Sequence, residues 1–170
     1  MIYTQVIGMK NALARLYGVS AGLIDLRVPL KKTQRYIEDM MKERFRKGGD
    51  PIKWKKVTET TLKLREVNKG NQPLIDRGNL LRAVSSPRSR YAKHTVFKNQ
   101  LRFAISRTLN KDGVFYPALL EDDLVIEDGW GRGIRIEIPG RPYMYLTPKN
   151  YREINNIFHE YMEWLVSKPI

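Results

Sequence analysis

The sequence predicts an α+β domain: a small, mostly antiparallel β-sheet packed by N-terminal and C-terminal amphipathic helices, with a long extended arm or loop. Three observations predict it. Apolar residues recur at three- and four-residue steps over 33–47 and again after Thr147, the period of a helix with one buried face. Ile134, Ile136 and Ile138 alternate with Arg135 and Glu137, the period of a strand. Residues 48–79 are rich in Gly, Pro, Asn, Lys and Thr, with Trp54 as the only large aromatic residue, which reads as an arm or loop that protrudes. At 170 residues the chain is read as a single domain, with 1–32 as an N-terminal extension and 80–146 as the sheet region.

Taken in order, residues 11–17 suit a short helix ending near Gly18, and Leu23, Leu26 and Leu30 are spaced for another apolar face. Over 33–47, Tyr36, Ile37, Met40, Met41 and Phe45 form a helical stripe that Gly48-Gly49 stops. Within the arm, 60–67 suits a short helix. Residues 80–84 admit one helical turn or a strand, and Gly78 supplies a backbone conformation that other residues resist. Ser85-Ser86-Pro87-Arg88-Ser89-Arg90 is a turn-forming connection. Leu101, Phe103 and Ile105 alternate with polar or small residues before the Asp112-Gly113 turn signal, so a hairpin with 114–120 is expected. Two further strands, 124–126 and 134–138, flank the Gly129-Trp130-Gly131-Arg132-Gly133 loop, whose tip presents Trp130 as a contact anchor. Thr147 is a good N-cap and Pro148 suits the first helical position; Ile154, Ile157, Phe158, Tyr161, Met162 and Leu165 then form the apolar stripe of the last helix, 147–166. Full burial of those six side chains would contribute roughly 1.5–3 kcal/mol each before entropy.

Charge is uneven. Residues 1–111 hold 25 Lys and Arg against 8 Asp and Glu, a balance of +17, and residues 112–170 hold 6 against 10, a balance of −4, which together give the net +13. From Arg77 to Lys111 there are nine basic residues and no acidic one. Such a stretch meets polyanion, an acidic protein surface or water. Arg82, Arg88, Arg90, Lys93 and Lys98 are the candidates to face nucleic acid, bound through phosphates without readout of sequence, because no helix-turn-helix, zinc-finger or RNA-recognition signature is present.

Catalysis has little support. The chain has no cysteine, so no disulfide, thiolate metal site or thiol nucleophile is available. His94 and His159 stand in no metal-ligand spacing; His94 reads as solvated and His159 as an ordinary packing or surface histidine. Glu121-Asp122-Asp123 with Glu127-Asp128 is the one carboxylate cluster, and neighbours on an extended segment point to opposite faces, which disfavours a shared Mg²⁺ or Ca²⁺. The reading is non-enzymatic, with no cofactor and no metal. No run of 18 apolar residues and no basic segment before the first apolar residues is present, so the protein is read as soluble and unsecreted, with no membrane partner.

Three short motifs stand in order: Gly49-Asp50-Pro51-Ile52-Lys53-Trp54 with downstream threonines, Pro73-Leu74-Ile75-Asp76-Arg77-Gly78-Asn79-Leu80-Leu81-Arg82, and Ile138-Pro139-Gly140-Arg141-Pro142-Tyr143. In this order and spacing, from about Thr33 to Leu165, the chain resembles the virion morphogenesis or tail completion family of tailed phages, which includes the G-like proteins of Mu-type phages. One element departs. Where such proteins often carry a Tyr-Ala-x-x-His-x-x-Gly stretch, this chain has Tyr116-Pro117-Ala118-Leu119-Leu120-Glu121-Asp122, without the histidine.

The resemblance implies a structural virion subunit, assembled in the host cytoplasm, forming a homo-oligomeric ring, a hexamer by the habit of such joints, in the neck or at the head-proximal end of the tail. Its neighbours would be head-connector and tail-tube or terminator proteins, with nonspecific contact to DNA in the lumen. The interface expected on this reading draws on Trp54, Leu74, Arg77, Leu80, Trp130, Arg141 and Tyr143. Arg141, fixed between Gly140 and Pro142, suits pairing with a carboxylate within the fold or across the interface. The alternative is a basic, sequence-nonspecific nucleic-acid-binding protein.

Overall fold

The last helix begins where its capping chemistry dictates. In a computed structural model, which describes residues 9–65, 72–109, 116–120, 123–127 and 135–167, helix α6 spans Pro148–Ser167. The Thr147 backbone N–H donates to Asn150 Oδ1 at 2.8 Å, and the Asn150 N–H returns to Thr147 Oγ1 at 3.3 Å. This is a capping box with Asn in place of the usual Glu or Gln, and Pro148 at the first position forfeits no intrahelical bond.

Ahead of it in the chain are α1 (Met9–Ile24), α2 (Arg27–Lys47), α3 (Glu59–Leu64), α4 (Asn79–Ser85) and the single turn α5 (Tyr116–Leu119). Four strands are described: β1 (Thr95–Val96), β2 (Leu101–Arg102), β3 (Leu124–Glu127) and β4 (Arg135–Ile138). The protein is thus a mixture of helix and small antiparallel sheets, compatible with the α+β class. The strands form two separate pairs, β1 with β2 and β3 with β4.

Helix α1 runs through Gly18 instead of ending there; a Cβ at Gly18 would meet open space, and α1 ends before Asp25-Leu26. Helix α2 starts six residues earlier than 33, because Pro29 lies in its first turn, where no N–H partner is needed. It stops where expected. The Gly48 N–H reaches Phe45 O at 3.1 Å and the Gly49 N–H reaches Arg44 O at 2.9 Å, the Schellman pattern, with φ of 66° and 98° at the two glycines.

The chain forms two compact units. The first comprises the described parts of Met1–Arg35, Thr95–Arg102 and Leu146–Ile170. Here α1 packs on α6: the Tyr161 hydroxyl donates to Gly22 O at 3.2 Å, and Gly22 leaves room for Leu165. Tyr161, Asn150, Leu30 and Thr33 are buried. The full burial expected for the α6 stripe is not found: with α1 packed on α6, Ile154, Ile157, Phe158, Met162 and Leu165 are still only half-buried. The hairpin β1–β2 pairs Thr95 with Arg102 and Val96 with Leu101, and the Leu26 N–H donates to Lys98 O at 2.6 Å. Among the described residues, which leave out 114–115, residues 101–106 do not form the hairpin expected with 114–120. Their partner lies upstream, across the turn closed by Phe97 N–H on Gln100 O, and Tyr116–Leu119 is helical; the Asp112-Gly113 signal lies outside the described residues.

The second unit comprises the described parts of Tyr36–His94 and Phe103–Tyr145. Its core holds Ile37, Met41 and Phe45 of α2, Trp54, Leu80, Ala83 and Val84 of α4, Leu109 and Tyr143. Phe45 is fully buried, with Trp54 edge-on at 5.1 Å and Tyr143 edge-on at 6.1 Å, contacts worth about 0.5–1.5 kcal/mol each beyond burial. The arm expected around Trp54 does not protrude there: after the glycine stop the Trp54 N–H returns to Gly48 O at 2.9 Å, and the indole is 6% exposed. Strands β3 and β4 pair as the sequence predicts, Leu124 opposite Ile138 and Ile126 opposite Ile136.

Candidate assembly and polyanion surfaces

The three motifs that carry the resemblance all lie in the second unit, where the first and the third meet. Trp54 Nε1 donates to Pro142 O at 2.9 Å. Arg141 donates from Nε to Lys55 O at 3.2 Å and from Nη2 to Lys56 O at 3.5 Å, and its own N–H reaches Leu120 O at 2.7 Å. Burial, and secondarily the positive charge of Arg65, lower the Arg141 pKa from its ordinary value, so this guanidinium is held in a half-buried, electropositive place. Arg44, 3% exposed, donates to Asp50 O at 3.1 Å, to Tyr143 O at 2.6 Å and to Tyr145 O at 2.9 Å. The Tyr143 hydroxyl donates to Pro117 O at 3.1 Å. Gly78 caps α4 at φ 71°, the left-handed conformation the sequence asks of it.

These contacts place several expected interface residues inside the fold. Trp54, Leu80 and Tyr143 are core side chains, Arg141 braces the 55–56 backbone, and Leu74 is half-buried with φ of 60°. Arg77 is exposed. Trp130 lies outside the described residues, as do Glu121, Asp122 and Asp128 of the acidic cluster. Asp123 is exposed, and its Oδ1 accepts the Gly140 N–H at 2.7 Å. Among the described residues no group of three His, Asp or Glu stands close enough to hold a metal ion.

One site escaped the sequence reading. The His94 side chain is not solvated; it is fully buried, stacked on Phe103 at 3.6 Å, with Nδ1 2.8 Å from Glu38 Oε1 and no hydrogen-bond partner for Nε2 among the described residues. The signal available was Glu38 itself, which stands three residues before Met41 and seven before Phe45, on the buried stripe of α2. His159 is exposed, 3.5 Å from Glu163, as expected of a surface residue.

Large exposed apolar side chains gather in the first unit. Tyr17, Leu23 and Ile24 of α1, Val28 of α2, Phe97 of the hairpin, and Tyr151, Trp164 and Val166 of α6 are all more than 40% exposed, against Ile52 alone among the described residues of the second unit. Exposed charge is carried by both units, and in the second Arg77, Arg82, Arg88, Arg90, Lys93 and Arg107 all face solvent. Lys98, in the first unit, is exposed as well.

No family model, no curated protein and no solved structure matches this chain. Among the described residues no helix is long and apolar enough to cross a membrane.

Proposed function

We propose that this protein is a non-enzymatic structural subunit of a tailed-phage virion, a neck or tail-completion protein that forms a ring between the head connector and the tail. The observation that carries the assembly reading is the exposed apolar surface of the first unit, where Trp164 and Val166 of a half-buried α6, together with Leu23 and Ile24 at the end of α1 that packs on it, are open to solvent. Exposed apolar residues in such number belong to a surface that another protein covers. The order of the three motifs supplies the virion context. The occupant of that surface is a neighbouring copy of this chain: the +17 of residues 1–111 complements the −4 of residues 112–170, which favours a head-to-tail contact that repeats and closes into a ring. Partner rings would sit on the faces of that ring.

The test is the mass of the purified protein by light scattering, at low and high salt, alone and mixed with tails or connectors. The expected result is a discrete ring, or a monomer that becomes a ring on its partner. Ile24→Glu with Val166→Glu, both at exposed positions, should leave the circular dichroism and melting temperature unchanged and abolish assembly. A persistent monomer indifferent to both partners overturns the proposal, and so does a ring that the double variant forms as readily.

A further inference from the structure

The basic residues of the second unit stand on an element that hydrogen bonds hold from end to end. Arg82 Nη2 donates to Arg77 O at 3.1 Å and to Asn79 Oδ1 at 2.7 Å, on a helix anchored by buried Leu80, Ala83 and Val84. The Ser86 N–H closes α4 on Arg82 O at 3.1 Å, the Ser89 N–H closes the next turn on Ser86 O at 3.1 Å, and the Ala92 N–H the next on Ser89 O at 3.0 Å. The chain then pairs antiparallel with 104–106, through Lys93 N–H on Ala104 O at 2.9 Å and Ser106 N–H on Tyr91 O at 2.7 Å. Arg82, Arg88, Arg90 and Lys93 project from this scaffold into solvent, and the Arg90 guanidinium lies 4.6 Å over the Tyr91 ring.

We infer that this segment, Arg82 with the turn that carries Arg88, Arg90 and Lys93, is a docking surface for the phosphate backbone of nucleic acid. Three features select that partner. No acidic residue lies between Arg77 and Lys111, and Glu38, which reaches the segment at His94, is buried there. Three of the four cations are arginines, whose planar fork matches phosphate oxygens. None of the large exposed apolar side chains lies in 77–94 or 103–109, whereas a protein–protein contact needs an apolar centre; a wet contact made only of cations suits a phosphate backbone. Because the cations hang from a preformed turn, little ordering is required on binding. The inference does not depend on the virion reading, since it concerns the isolated chain.

The experiment measures binding of a random-sequence DNA duplex by the whole protein across a salt series. Four phosphate contacts give a slope of log K against log salt of about −3.6. The triple variant Arg88→Ala, Arg90→Ala, Lys93→Ala should lose about 2.7 of that slope and at least about tenfold in affinity near 0.1 M salt. A control, Lys31→Ala, Lys32→Ala, Arg35→Ala, removes the same charge from exposed positions of α2 and should leave the slope within about 0.5 of the parent. Arg88→Lys with Arg90→Lys should retain the slope, separating charge from folding. Equal losses in the two triple variants would mean that net charge alone drives binding and would overturn the inference. So would an unchanged slope in the first triple, or retention of poly-glutamate by a protein that ignores the duplex.

Discussion

The guanidinium of Arg44 lies 3.8 Å over the ring of Tyr145 while its Nη1 donates to the Tyr145 carbonyl at 2.9 Å. One cation thus fixes both the backbone and the side chain of a residue 101 positions away, and it also holds the carbonyls of Asp50 and Tyr143. It ties the end of α2 to the turn after it and to the segment following the Arg141 corner.

Replacing Arg44 with methionine should therefore cost more than its lost contacts suggest. Three carbonyls would lose a charged donor; that of Asp50 keeps the Tyr145 hydroxyl at 3.0 Å, and at about 1–3 kcal/mol for each of the other two a loss of about 2–6 kcal/mol in urea unfolding is expected. Arg44→Lys should recover only part, because an ammonium on a flexible stem cannot span the three acceptors as the fork does. A lysine variant as stable as the parent would show that charge, not geometry, is what this position supplies.

Trp54 is a second such tie. Trp54→Phe removes the Nε1 donor to Pro142 O and should cost about 1–2 kcal/mol; Trp54→Ala should cost about 3–5 kcal/mol through the cavity left beside Phe45. Deleting 51–71, which an arm outside the body would tolerate, should unfold the second unit. A cooperative, near-native melt of that deletion would mean that Trp54 is not part of this core.

The parts of the fold legible in the sequence are those set by local chemistry. Thr147 and Pro148 start α6, the two glycines end α2 and Gly78 takes its left-handed turn, each through groups within a few residues of one another, while Ile136 and Ile138 pair with Ile126 and Leu124, 10 and 14 positions away, as their alternation announces. What escaped depends on distant partners. Leu101-Arg102 had two flanking segments to choose from, and the turn used, 97–100, carries no Gly or Pro to announce itself. The Glu38–His94 contact spans 56 positions, and Trp54 to Pro142 spans 88. The same limit governs burial: Trp54, Leu80 and Tyr143 stand out in sequence because the core needs them, while the exposure of Leu23, Ile24 and Trp164 is decided only by the tertiary arrangement.

Acid should weaken the protein through three surface carboxylates. Hydrogen bonds from Arg27, Arg46 and Lys47 lower the pKa of Asp25, Glu43 and Asp50 below their ordinary values of 3.8, 4.5 and 3.8. A carboxylate whose folded pKa is depressed adds stability that is complete above the unfolded value and is lost as pH falls through the folded one. The urea midpoint should accordingly owe nothing to these groups' titration from neutrality down to about pH 5.5, then fall below about pH 4.5. All three are solvent-exposed pairs, so high salt should shrink the acid-dependent part, as should Asp25→Asn, Glu43→Gln and Asp50→Asn together. An acid loss that neither salt nor the triple variant reduces would place its origin elsewhere.

The two glycines after α2 should respond differently to the same substitution. Both have positive φ, 66° at Gly48 and 98° at Gly49, but a Cβ at Gly48 meets no atom within 4 Å, whereas one at Gly49 would stand 2.2 Å from the Ile52 carbonyl oxygen. Gly48→Ala should cost about 1 kcal/mol, the ordinary penalty of the left-handed conformation, and Gly48→Asn less, because asparagine tolerates it. At Gly49 the obstacle is backbone within the turn that returns Trp54 to Gly48, so the chain must move and take the indole with it. Gly49→Ala should cost about 2–4 kcal/mol and alter the near-ultraviolet dichroism of the buried aromatic cluster, while Gly48→Ala leaves that spectrum intact. Equal costs at the two positions would refute the close approach at Gly49 and, with it, the tight turn that carries Trp54 into the core.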